Sequence, residues 1–300
     1  MILLLLLFLS ACTSQTESVS EFKGDKMFMP YQVTIGKKLS PAEKQDLQAL
    51  IDESFQQINR TLNNWNDESE ITLVNQSDSQ ISISKHLQKV LALTDEIYFL
   101  TDGRFDPTVR LSFFRDSFTE GHFPKENTPP FGWENIHIQD GILSKSGTEI
   151  DLCGIAKGYA VDLIAENLLE MGYKNFLVSW SGEIRAHGNH PEKRAWTIQI
   201  LGKKDPIPLI DQSIATSGDY VFNWEIEKNL YHHIINPKTG KPIKIDKDSP
   251  TSVSCIAPTC AEADALATAL LSCETMEKAS ELAKRIENAH PNISFFLLKK

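Results

Sequence analysis

Nine residues, Asp151-Leu-Cys-Gly-Ile-Ala-Lys-Gly-Tyr159, place a carboxylate, two glycines and a lysine where a strand pattern (Glu149, Ile150, Leu152) gives way to a helix pattern (Ile155, Tyr159, Ile164, Leu168). A helix start presents unpaired backbone N–H groups and a partial positive charge. Gly154 and Gly158 allow close approach of backbone or ligand, and Lys157 adds a mobile point charge. That chemistry suits a phosphate group, although an ordinary strand-to-helix turn uses the same residues and the stretch alone fits both. Asp264 and Thr268 stand four apart in a helical pattern and so share a face. They offer a carboxylate and a hydroxyl, hard oxygens of the kind Mg²⁺ takes together with water and substrate oxygens; a solvated helix face would use Asp264 equally well. His233, with an ordinary pKa of about 6.5, is a candidate proton carrier. His232 beside it alternates to the other face of the same predicted strand.

The elements that must position these groups read as a mixed chain. Tyr31, Val33 and Ile35 alternate as a half-buried strand. Ser40-Pro41-Ala42-Glu43 combines an N-cap, a helix-starting proline and a capping-box glutamate ahead of Leu47, Ile51, Phe55 and Ile58 at helical spacing. The polar run Asn63 to Ser69 suits a loop, and a second helix starts near Ser84 and breaks at Thr101-Asp-Gly-Arg-Phe-Asp-Pro-Thr108. Thr119 to Pro130 reads as an exposed excursion. Asp140-Gly141 marks a hairpin turn, the helix after Asp151 stops at Met171-Gly172, and Phe176–Val178 and Trp196–Ile200 read as strands flanking the turn Trp180 to Glu183. Strands near 213–222, 231–235 and 252–256, helices near 261–271 and 275–288, and a last strand at 294–298 complete the chain. The irregular alternation points to α+β, with mixed sheets and flanking helices in a single domain over 27–300, rather than to a doubly wound parallel sheet.

The 300 residues are 41% hydrophobic and 23% charged, a globular composition. The net charge of −10 excludes a non-specific nucleic-acid binder, which needs a basic face. Ile2 to Leu9 is an apolar run of signal-peptide length, too short to span a bilayer. Leu9-Ser10-Ala11-Cys12 is similar to a bacterial lipobox, which makes residues 1–11 a signal peptide, Cys12 the lipidated first mature residue and 12–26 a polar tether to the membrane. Cys153, Cys255, Cys260 and Cys273 match no zinc spacing. A Cys255–Cys260 bridge in an oxidising compartment and four small buried thiols both fit.

Taken together and in order, six stretches resemble the FAD:protein FMN transferase (ApbE-like) family. They are Asn66-Asp-Glu-Ser-Glu-Ile71, Thr101 to Thr108, Asp151 to Asp162, Ala215-Thr-Ser-Gly-Asp-Tyr220, His233-Ile-Ile-Asn-Pro-Lys-Thr-Gly240 and Ala263-Asp-Ala-Leu-Ala-Thr268. The resemblance implies an enzyme that binds FAD and, with Mg²⁺, cleaves its pyrophosphate, transferring FMN to a threonine of a partner protein and releasing AMP. It implies metal ligands at Asp264, Thr268 and the Gly154 carbonyl, a pyrophosphate contact from Lys157, and a flavin-nucleotide contact from Asp151. It further implies a proton acceptor at His233 and a flavin or adenine lining from Met27, Arg104, Phe105, Asp106 and Ile235; for Met27 and Ile235, core packing explains the residue equally. The acceptor would be an exported redox subunit, such as one of a sodium-pumping NADH:quinone oxidoreductase, met on the periplasmic side of the bacterial inner membrane. Water in place of the threonine would make the same residues an FAD pyrophosphatase, and binding without chemistry would make a flavin-storing lipoprotein. The chain departs from the family pattern at Cys153 in place of a glycine, at Trp180-Ser181, at Asn236 in place of an aspartate and at Phe28-Met29 in place of Gly-Thr.

Overall fold

Seven segments build one antiparallel sheet whose strands lie side by side in the order the chain makes them: Ser20–Lys26, Met29–Ile35, Phe176–Trp180, Glu183–His187, Gln212–Gly218, Pro250–Ala257 and Ser294–Lys299. The structure is a computed structural model describing residues 19–77, 79–125, 130–219 and 223–299. The signal segment, Cys12 and the start of the tether lie outside the described residues. Helices α1 (Pro41–Thr61), α2 (Glu70–Gln76), α3 (Lys85–Leu100), α4 (Leu111–Thr119), α5 (Ala156–Glu170), α6 (Cys260–Leu271) and α7 (Met276–Ala289) complete the framework with three small sheets, so the α+β expectation holds. None of the helices among the described residues is long and apolar enough to cross a membrane.

The layering follows from which faces are apolar. Helices α5 and α6 lie on one face of the large sheet, with α1 behind α5 and α3 behind α6. The other face is covered by the hairpin Trp196–Ile198/Ile207–Leu209, where Trp196 and Leu209 pack against Ile214 and Ile256. Pro250–Ala257 is therefore covered on both faces, and seven of its eight residues are buried rather than alternating. Helix α1 begins as its sequence requires: Ser40 accepts from the Glu43 N–H, the Glu43 side chain accepts from the Ser40 N–H, and Pro41 occupies the first turn. The Asp140-Gly141 turn also forms, with both residues at positive φ, between Ile136–Gln139 and Ile142–Lys145.

Several local expectations are corrected. The sheet begins at Ser20, ahead of Met27, with Phe22 buried and Ser20 Oγ accepting from the Leu39 N–H, so residues 20–26 are strand and not tether. One apolar residue in seven gave no strand pattern; the pairing with Met29–Ile35 supplies what the composition lacks. Phe176–Trp180 pairs with Glu183–His187 through a turn at Ser181-Gly182, and Trp196–Ile198 belongs to the hairpin on the far face. Helix α2 follows the polar run and is capped by Ser69; α4 precedes the excursion expected after Thr119, packing Phe114 and Phe118. Glu149 to Leu152 is extended but pairs with no strand. Two asparagine side chains replace the ladder: Asn75 bonds both the N–H and C=O of Ile150, while Asn64 bonds the Ile150 C=O and the Leu152 N–H.

Helices α5 and α6 approach so closely at Gly158 that a Cβ there would stand 2.3 Å from the Cys260 carbonyl oxygen and 2.7 Å from Ala261 Cα. Both obstacles are backbone, so neither can rotate away. Gly158→Ala should destabilise the fold by about 3 kcal/mol through overpacking, read as a lowered denaturant midpoint with an unchanged slope.

Candidate active site

Lys157, in the first turn of α5, sits between two carboxylates. Its Nζ lies 2.5 Å from Glu183 Oε1 and 3.4 Å from Asp264 Oδ1. Glu183 follows the Ser181-Gly182 turn and is 2% exposed; Asp264 comes from α6 and is also 2% exposed. Ten of the 12 residues of α6 are buried, so Asp264 is not on a solvated helix face and its charge must be met inside the protein. Asp264 Oδ2 accepts from the Gly158 N–H at 3.0 Å, one of the unpaired donors of the α5 N-terminus. Burial alone would lower the Lys157 ammonium, but Asp264 and Glu183 more than offset it and hold the pKa above the ordinary lysine value. Burial raises the Glu183 carboxyl to about 7, opposed by Lys157 and reinforced by the Asp264 charge.

Beside this cluster, Gly154 faces Thr268 and Phe105. A Cβ on Gly154 would stand 3.2 Å from Thr268 Oγ1 and 3.1 Å from the Phe105 ring. Ser217 Oγ shares a hydrogen bond of 3.2 Å with Thr268 Oγ1. No group of three or more His, Cys, Asp or Glu side chains among the described residues is set to hold a metal, so a cation here would rely on one carboxylate, hydroxyls and backbone oxygen. Two observations fit such a cation. One lysine faces two carboxyl groups, so a negative charge is uncompensated whenever Glu183 is ionised, and Glu183 Oε2 is buried with no hydrogen-bond partner. Asp264, Thr268 and the Gly154 carbonyl are hard oxygen donors that leave room for water and substrate ligands.

Asp151 lines a cleft of about 250 Å³ together with Asn64, Trp65, Asn75, Arg110 and Cys153. Its Oδ1 accepts from the Cys153 N–H, and Cys153 is an exposed residue of the cleft wall. Arg110 pairs with Glu149 at 2.6 Å while its buried Nε has no hydrogen-bond partner. The cleft is thus walled by amides, an exposed indole and a guanidinium. That inventory can hydrogen-bond and stack a nucleotide.

The turn Thr101 to Thr108 is tied to the end of α6: Arg104 donates to the Ser272 carbonyl and pairs with Glu274 at 3.3 Å, while Ser272 Oγ donates to the Arg104 carbonyl. Asp106 is buried and braces its own turn by accepting from the Thr108 N–H and hydroxyl. Burial raises its pKa, which those hydrogen bonds oppose. His233 and Ile235 lie elsewhere, on Asn229–Asn236 of the three-stranded sheet, where Ile235 packs with Phe114, Phe118 and Ile226. Asn236 donates to Glu274 at 2.6 Å, and Lys238 donates to the Asp102 carbonyl, docking this sheet onto the Thr101–Thr108 turn. Met27 is half-buried at φ 50°, in a hairpin turn that leaves Phe28 fully exposed. The structure therefore gathers Gly154, Lys157, Phe105, Asp264 and Thr268 in one place, sets Asp151 on the adjoining cleft, and puts His233 and Ile235 on a second sheet. Sequence reading missed Glu183, Ser217, Asn64, Asn75 and Arg110 as site residues. Ser217 stood inside the stretch Ala215 to Tyr220, and Glu183 directly followed a turn glycine, but neither residue type at such a place points to a buried site.

A half-buried lysine between two buried carboxylates at a helix start, beside a cleft of amides and an indole, marks an enzyme site built for a charged ligand. The chain belongs to the ApbE family, whose model matches residues 27–293. It is similar to the FAD:protein FMN transferase of Chlamydia pneumoniae, 34% identical over 299 residues covering 94% of this chain and 93% of the relative. The FAD:protein FMN transferase of Vibrio cholerae is 30% identical over 286 residues, covering 89% and 84%. Among solved structures, the apo form of the Pseudomonas stutzeri flavinyl transferase ApbE superposes with a TM-score of 0.80 at 26% identity, covering 94% of this chain and 91% of that one. The Vibrio cholerae flavin transferase ApbE gives 0.76 at 26% identity, with 94% of each chain covered.

His232, 1% exposed on the inward face of the strand carrying His233, accepts from the Ile234 N–H through Nδ1. Burial lowers its pKa to about 3, with His233 adding a smaller repulsion. A folded-state pKa below the unfolded value means stability is fully present above about pH 6.5 and is lost as pH falls toward 3, by about 1.4 kcal/mol per pH unit. His232→Asn, whose Oδ1 can replace Nδ1 as acceptor, should flatten this part of the profile. The check is the denaturant midpoint from pH 7 to 4, and an unchanged slope in the variant would contradict it.

Proposed function

We propose that this protein is an FAD:protein FMN transferase: it binds FAD, transfers FMN to a threonine hydroxyl of an exported redox protein and releases AMP. The observation that carries this reading is the half-buried Lys157 held between the buried Glu183 and Asp264, with Thr268 and Gly154 alongside, in a chain of the ApbE family. In this reading the pyrophosphate lies against Lys157, whose charge is fixed in place before substrate arrives. The cleft with Asp151, Trp65 and Arg110 takes nucleotide, and Phe105 forms apolar wall next to Gly154. Mg²⁺, held by Asp264, Thr268 and the Gly154 carbonyl, would neutralise pyrophosphate charge when bound. The threonine oxygen forms a bond to the FMN phosphorus as the bond from that phosphorus to the bridging oxygen breaks. The electron pair departs with AMP, and the threonine proton passes to His233.

Water entering in place of the threonine would give free FMN and AMP from the same groups, so the acceptor decides between transferase and pyrophosphatase. The N-terminal reading belongs to this proposal: lipidation at Cys12 would hold the enzyme on the periplasmic side of the inner membrane, where an exported subunit, such as one of a sodium-pumping NADH:quinone oxidoreductase, can reach it.

Incubation of the protein with FAD, Mg²⁺ and a threonine-containing acceptor should give in-gel flavin fluorescence on the acceptor with matching AMP. Asp264→Ala should lower that transfer by at least about a hundredfold, and full activity in the variant would remove Asp264 from the site. Free FMN without acceptor labelling would assign the pyrophosphatase reaction instead.

A further inference from the structure

We infer that Glu183 is a positioning residue that governs cation binding at Asp264 without being a cation ligand, by drawing Lys157 off the Asp264 carboxylate. The inference rests on the reading of Asp264 as a cation ligand. Lys157 Nζ is 2.5 Å from Glu183 Oε1 but 3.4 and 3.5 Å from the two Asp264 oxygens. The ammonium is therefore in full contact with Glu183 and only loosely associated with Asp264. A lysine bonded tightly to Asp264 would occupy the charge that an entering cation needs.

Both carboxylates are buried while the Lys157 side chain keeps 28% exposure, so the lysine is the group of the three that can shift. Asp264 is also held by the Gly158 N–H, which leaves Oδ1 as its less engaged oxygen. Glu183 Oε2 is buried without a hydrogen-bond partner, and that uncompensated oxygen keeps a pull on any positive charge in the cluster. A divalent cation arriving at Asp264 repels Lys157, and Glu183 is the adjacent group able to receive it. The lysine then remains charged and fixed beside the cation, where a pyrophosphate spans both. Lys157 and the cation thus compete for Asp264 in the free enzyme, with Glu183 setting the outcome.

This arrangement requires opposite effects from two substitutions. Mn²⁺ alone is titrated into the full-length protein without FAD and followed by the paramagnetic resonance of the free ion. Glu183→Gln leaves the cluster with one negative charge fewer and releases Lys157 onto Asp264, so Mn²⁺ binding should weaken by about tenfold or more. Lys157→Met removes the competing cation, so binding should tighten by about the same factor. Misfolding would weaken both, and opposite signs therefore separate charge competition from damage. Unchanged affinity in Glu183→Gln, or weaker binding in Lys157→Met, would overturn the inference. Asp264→Asn separates the two layers of argument: parent-like Mn²⁺ binding there would remove the cation site itself. Loss of binding there, with no response in the other two variants, would remove only the role of Glu183.

Discussion

Two carboxylates and one lysine, enclosed where α5, α6 and the Ser181-Gly182 turn converge, are the interaction on which the rest of this protein depends. Each charge would be unfavourable alone in that setting, since an isolated buried ion loses several kcal/mol of hydration. Together they leave one excess negative charge that the fold must either neutralise or keep for a ligand. The surrounding structure favours the second. The α6 helix places Asp264 among alanines and leucines, and helices α5 and α6 pack over the strand that begins at Glu183. A stabilising core would have used apolar residues of similar volume at these positions.

The close approach of the two helices has its own supports. Asp162, one α5 turn beyond Gly158, accepts from the Cys260 and Ala261 N–H groups and so caps α6 from its neighbour. Arg185 donates to the same carboxylate at 2.6 Å from the sheet. Burial raises the Asp162 pKa, with Arg185 and the two backbone donors pulling it back down. A second ionic contact thus joins the same three elements, α5, the sheet and α6, with Asp162 met by Arg185 and by two backbone N–H donors. Those donors leave the Asp162 carboxylate well satisfied, whereas Glu183 Oε2 in the neighbouring cluster has no hydrogen-bond partner.

Much of this was legible in the sequence, for identifiable reasons. Capping chemistry at Ser40 and the Asp140-Gly141 turn act locally and therefore show locally. Asp264 and Thr268 were readable as a pair because helix spacing puts them on one face, while Gly154 and Lys157 stood out through the strand-to-helix stretch that carries the family resemblance. What was not readable depends on tertiary pairing. The Ser20–Lys26 strand has almost no apolar residues and is held by its neighbour, and the Ile150–Leu152 segment is held by amides from residues 64 and 75, far away in the chain. Glu183 lay in plain view, yet a glutamate after a turn glycine is ordinarily solvated. Only the packing of α5 and α6 on its strand reveals a buried charge. The chain order of the large sheet was equally hidden, because hairpins and long helical excursions alternate between adjacent strands.

The amide at Asn236 fits the same accounting of charges. Asn236 presents its amide to Glu274 at 2.6 Å, and Glu274 is already shared with Arg104 and Lys278. An aspartate there would set two carboxylates in contact, whereas the amide completes a chain of contacts from the sheet carrying His233, through Glu274 and Arg104, to the turn carrying Phe105. The sheet itself packs on α4 through Phe114, Phe118, Trp224 and Tyr231, an aromatic cluster separate from the main core. Lys157, Asp264 and Thr268 therefore stand on the large sheet's framework of helices, and His233 stands on an outer layer joined to it by a few polar contacts. The transfer proposed above would use such a division: the charged groups stay in place when a large acceptor docks, while His233 stands on a separate sheet that a polypeptide could meet.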